Sequence, residues 1–97
     1  MRTCRYEDAA RQAADAAVEK WARADDAMLM LEWALVRDPD AGVSFSHSRE
    51  LRAITFDGAK SGGLPTIDAM YEVTDTLIIF HALAFSDSVI TVRAGRA

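Results

Sequence analysis

Ninety-seven residues and 10.6 kDa suffice for one domain and leave no room for a second core. An apolar fraction of 51% with 27% charged residues excludes disordered and fibrous chains. A net charge of −4 argues against a protein that lives on nucleic acid, because such proteins usually carry a basic surplus.

The N-terminus, Met1 to Asp8, has no apolar run of the kind a signal peptide needs. The one cysteine, Cys4, cannot form an internal disulfide, so an oxidising compartment is not implied. The longest apolar stretch, Leu77 to Phe85, is interrupted by His81. It falls far short of the ~20 residues of a membrane-spanning helix. The expected location is the cytoplasm.

Residues 6–37 contain neither Gly nor Pro and are rich in Ala, which predicts helix. Ala10, Ala13, Ala17, Trp21, Ala24, Met28, Leu31 and Leu35 recur at steps of three and four. Asp25 and Asp26 are the polar break that divides the span into a hairpin, with helices near 6–22 and 26–37. The unbroken period leaves one long helix as the alternative. The second half, Met28 to Val36, is apolar nearly all round, so it is expected to lie between the sheet and either the first helix or a partner chain. Asp38-Pro39 ends it, because the residue before proline is driven out of the α region.

From Val43 the texture turns to β. Residues 51–56 alternate weakly, and 57–65 read as a loop between strands. Thr66 to Val73 predicts a strand with Ile67, Ala69, Tyr71 and Val73 on one face. A tight turn at Thr74-Asp75 leads into a central strand from Leu77 to Ala84, and Ser88 to Val92 is a candidate last strand. Helices first and hairpin-linked strands afterwards predict one α+β domain over 1–97: a helical hairpin at about 6–37 on a three- or four-stranded antiparallel sheet at about 43–92.

Three segments carry the order of a known family. Leu31-Glu32-Trp33-Ala34-Leu35-Val36-Arg37-Asp38-Pro39-Asp40-Ala41-Gly42 stops a helix in an Asp-Pro-x-x-Gly turn. A strand centred on Leu51-Arg52 and a glycine-bearing loop into Leu64-Pro65-Thr66-Ile67 follow, and then Met70-Tyr71-Glu72-Val73-Thr74-Asp75-Thr76-Leu77-Ile78-Ile79-Phe80. Over roughly residues 27–85 this resembles the RelE/ParE superfamily of bacterial toxin-antitoxin toxins. The resemblance implies a small antitoxin as partner, or a homodimer in a member without toxicity. It also implies a short leading strand, for which residues 1–5 are the one candidate; they carry no alternating apolar residues. Ribosome-dependent RNases of the family resemble one another in being basic, with a terminal Tyr or His. This chain is acidic, and its last residues, Val92 to Ala97, hold neither. The ParE branch, which poisons DNA gyrase, does not rely on that set and is the expected function. A non-enzymatic dimeric interaction module on the same fold is the alternative, and a metal-independent mRNA endonuclease comes last.

Metal-free RNA cleavage needs cations for the phosphate and groups that move protons. Arg49, Arg52 and Lys60 are the candidate cations, and Tyr71 and His81 the candidate proton carriers. A hairpin register pairing Val73 with Thr76 sets Tyr71 near Ile78, so Tyr71 and His81 do not face each other. His81 shares parity with Leu77, Ile79 and Leu83, which reads as a half-buried structural histidine. Tyr71 reads equally as a core-edge tyrosine, and Arg49 and Arg52 as a solvated strand end. Ser44-Phe45-Ser46-His47-Ser48 reads as a polar loop, since neighbours in sequence rarely form a nucleophile and its base. Gly58-Ala59-Lys60-Ser61 lacks the phosphate-loop spacing. Cys4, His47 and His81 show no metal-ligand spacing, and neither a cofactor nor a metal is expected. Trp21, Met28, Met30 and Trp33 fall at helical spacing and read as core or as anchors for a partner. The alanine face of the first helix offers a second dimer surface.

Overall fold

A computed structural model describes residues 1–45, 51–58 and 64–87. In chain order its elements are β1 (Thr3–Tyr6), α1 (Asp8–Lys20), α2 (Ala24–Arg37), β2 (Val43–Ser44), β3 (Leu51–Phe56), β4 (Thr66–Val73) and β5 (Leu77–Ser86). The α+β class and the helical hairpin are as expected. The sheet departs from expectation: it has five strands in the order β1-β5-β4-β3-β2, and β1 runs parallel to β5. The candidate strand at 88–92 lies outside the described residues.

The leading strand β1 is short and lies at an edge of the sheet. Cys4 and Tyr6 turn inward and pack on the core, while Thr3 and Arg5 stay exposed. Neither inward residue registers as plainly apolar, so the alternation is hidden. Tyr6, expected at the start of the helix, belongs to this strand, and α1 begins two residues later.

The break between the helices falls at Trp21-Ala22-Arg23. Asp25 and Asp26 sit in the first turn of α2, where the helix dipole favours them. Both helices lie on one face of the sheet. Their inner residues Ala10, Ala27, Leu31 and Leu35 meet Ile67, Tyr71, Ile78 and Phe80 in the core. Among the described residues α2 is covered on its inner side, and on its outer side Leu29, Met30 and Trp33 are exposed by 53%, 44% and 58%.

The β4 face is as expected, with Ile67, Ala69 and Tyr71 buried and Val73 packed against them. The β4–β5 register differs. Val73 pairs with Ile78 and Tyr71 with Phe80, two residues from the expected alignment. Thr74 sets the turn: its hydroxyl accepts the Leu77 amide at 2.9 Å, and its own amide donates to the Leu77 carbonyl at 2.9 Å. The two-residue slip keeps the buried faces together, where a slip of one would have reversed them. Further along the ladder Met70 pairs with Ala82, so His81 is the extra residue of a bulge. The expected parity of His81 with Leu83 is thereby broken. Ile78 and Phe80 point to the core before the bulge, and Leu83 after it.

Candidate functional surfaces

Tyr71 and Arg52 meet beneath the turn that follows α2. They are paired across β3 and β4. The Tyr71 hydroxyl donates to the Pro39 carbonyl at 2.8 Å and accepts the Gly42 amide at 2.9 Å. Tyr71 is 0% exposed. Burial raises its phenol above the ordinary range, while the Gly42 bond and Arg52 act the other way. Arg52, with a side chain 16% exposed, donates to the Gly42 carbonyl at 2.9 Å and lies 3.3 Å from the Asp40 carboxylate. These contacts hold the Asp-Pro-x-x-Gly turn against the sheet. Glycine is required at its end: a Cβ on Gly42 would stand 2.7 Å from the Tyr71 hydroxyl and 2.8 Å from the Ala53 carbonyl. Arg52 and Tyr71 are therefore engaged in positioning this turn.

His81 lies elsewhere. Its Nε2 is 2.9 Å from Glu72 Oε1, and both side chains are half-buried. Glu72 follows Tyr71 along β4 and so projects from the opposite face of the sheet. Tyr71 and His81 thus lie on opposite faces, as the misaligned register had also separated them. Arg49 and Lys60 lie outside the described residues. The Glu72–His81 pair was not foreseen, because the expected register sets Glu72 opposite Leu77, four residues from His81, whereas Glu72 in fact pairs with Ile79.

The face away from the helices forms an open groove of about 580 Å³ lined by Val43, Ala53, Thr55, Asp68, Met70 and Ala82 among others. Its floor is mostly small and apolar. Thr55 donates a hydrogen bond to Asp68 across its width.

The four anchor candidates separate. Met28 is a core residue. Trp21 closes the helical hairpin onto the end of β5: its indole donates to Asp87 at 2.8 Å and its ring stacks on Phe85. Met30 and Trp33 remain on the outer side of α2. Beside Trp33, a groove of about 300 Å³ runs between α2 and β1, lined by Met1, Cys4, Glu32, Trp33 and Val36 among others. There Tyr6 donates a hydrogen bond to Glu32, tying β1 to α2. Burial first, then the Tyr6–Glu32 hydrogen bond, raises the phenol of Tyr6. Burial, and secondarily Glu32, pushes the Cys4 thiol up to about 11. A thiol so poised is a poor nucleophile near neutral pH.

Among the described residues no group of three His, Cys, Asp or Glu gathers as metal ligands, and no helix is long and apolar enough to cross a membrane. Comparison with family models, with curated proteins and with solved structures finds no match.

Proposed function

We propose that this chain is a toxin-like component of a bacterial type II toxin-antitoxin system, resembling the RelE/ParE superfamily, and that it acts in the cytoplasm on a protein target such as DNA gyrase rather than by cutting mRNA. The observation that carries the reading is the leading strand. The resemblance implies one, and Thr3–Tyr6 pairs into the sheet ahead of the helical hairpin. The preference against RNA cleavage rests on Tyr71 and Arg52. The phenol is buried with a donor and an acceptor already in place, and the guanidinium is engaged with the same turn. The net charge of −4 supports the same preference. A small antitoxin is the neutralising partner in this reading.

The second reading, a dimeric interaction module without toxicity, is favoured by one observation: Leu29, Met30 and Trp33 leave an apolar surface on α2. Tightly controlled induction in a bacterial host, with plasmid supercoiling and mRNA integrity sampled alongside growth, separates the readings. Growth arrest with altered supercoiling is the expected result. Arrest with cleaved mRNA would restore the endonuclease, and normal growth at confirmed soluble expression would favour the module.

A further inference from the structure

We infer that the free edge of β1 and the outer side of α2 form one self-complementary surface that binds a second copy of this chain. The inference is independent of whether the chain is toxic, and it leaves the open sheet groove to other partners.

The backbone supplies the first half of the surface. The amides of Thr3 and Glu7 donate to the carbonyls of Thr76 and Phe80 on β5. In a parallel ladder with that register, the N–H and C=O of Cys4 and Tyr6 point the other way. β1 has one neighbouring strand among the described residues, so these groups face outward. A two-fold axis through Cys4 sets Cys4 against Cys4 of the second copy in a pair that exchanges both hydrogen bonds, with Arg2 opposite the second copy's Tyr6 on either side. This antiparallel register keeps inward residues opposite inward residues and Thr3 opposite Arg5 on the outer face. Alignments offset by one residue set inward side chains against outward ones.

The helix supplies the second half. Asp26, Met30, Trp33 and Arg37 follow one another at steps of four, three and four, so they share a side of α2, and all four are exposed. Read in the reverse direction the row complements itself: Asp26 meets Arg37 and Met30 meets Trp33. Asp26 already pairs with Arg23 of its own helix at 3.1 Å, a solvent-exposed contact that leaves it able to share a second cation. The two halves adjoin each other. Glu32, Trp33, Val36 and Arg37 line the groove that also holds Cys4, so the helical row runs beside β1. An axis that joins two β1 strands at Cys4 therefore brings the two α2 helices side by side. Opposite charges at the ends and apolar residues at the centre select this antiparallel arrangement.

Sedimentation equilibrium of the purified chain tests the inference. The wild type is expected at twice 10.6 kDa. Trp33→Lys places a charge at the centre of the helical row, and Cys4→Pro removes an outward amide that β5 does not use. Each is expected to halve the mass while far-UV circular dichroism stays that of the wild type. A third variant carries Thr3→Cys and Arg5→Cys with Cys4→Ala. The proposed register sets positions 3 and 5 of opposite copies about 4.5 Å apart at Cα, within disulfide reach. Mild oxidation is expected to give a covalent dimer. A wild type that is monomeric at every attainable concentration would overturn the inference. So would a dimer that survives both Trp33→Lys and Cys4→Pro, or a triple variant that yields no covalent dimer. Growth arrest on induction is read separately, so the toxin reading and this one fail independently.

Discussion

Tyr71 and Trp33 lie in neighbouring parts of the fold and have opposite surroundings. Tyr71 is fully buried, and its hydroxyl is fixed between Pro39 and Gly42. Trp33 is 58% exposed on the outer side of α2. A buried phenol whose donor and acceptor roles are both filled by backbone serves the fold. A large exposed aromatic flanked by Leu29 and Met30 adds nothing to the core and offers a partner an anchor. The contrast divides the molecule into a fixed centre around the Asp38–Gly42 turn and an outward surface at α2 and β1.

The largest expected effect lies at the fixed centre. Gly42→Ala forces a methyl group against both the Tyr71 hydroxyl and the Ala53 carbonyl. Urea unfolding is expected to show a loss of about 3 kcal/mol, combining overpacking with displacement of the phenol. A smaller loss would mean that the turn yields, and the division between centre and surface would blur. Next comes Trp21→Phe, which removes an exposed hydrogen bond to Asp87 but keeps a ring against Phe85. The expected cost is about 1 kcal/mol by the same measurement.

Cys4 sharpens the comparison on the outward side. Its folded thiol holds its proton up to about 11, above the ordinary 9.0. Between those values the unfolded chain has lost the proton while the folded chain keeps it, so the folded state is penalised as pH rises. Stability is expected to be undiminished by this group below 9.0 and to fall as pH climbs from there toward 11. The raised phenols of Tyr6 and Tyr71 add a loss in the same direction from 10.0 upward. Cys4→Ala should flatten the part of the pH profile just above 9.0, and an unchanged profile would count against the buried thiol. The smallest effect belongs to Trp33→Ala, expected within about 0.5 kcal/mol of the wild type in dilute, monomeric solution.

Much of the centre was legible in the sequence. The Ala24-Asp25-Asp26 break located the hairpin to within a few residues, and Asp38-Pro39 located the end of α2. Alternation in Thr66–Val73 identified the buried face of β4, because a half-buried strand writes its face into every second residue. What escaped was set by contacts distant in the chain. β1 is four residues whose partner strand lies more than seventy residues away, and its inward positions are Cys4 and Tyr6. The bulge at His81 depends on the opposing strand and leaves no local signal. Tyr71 was legible as a core-edge residue, but its task was not, since its partners are backbone groups of Pro39 and Gly42 about thirty positions earlier. Arg52 stood among the candidate cations because charge on a strand suggests a surface. Its side chain instead folds back to the Gly42 carbonyl and Asp40.

The most direct test is urea unfolding of Tyr71→Phe beside Trp33→Ala. Removing the hydroxyl leaves the Gly42 amide and the Pro39 carbonyl without their partner, so Tyr71→Phe should lower the stability by about 1–3 kcal/mol, read as a lower midpoint at unchanged slope. In dilute, monomeric solution Trp33→Ala should leave it in place. A Tyr71→Phe variant as stable as the wild type would contradict the account, because the phenol would then be dispensable to the fold.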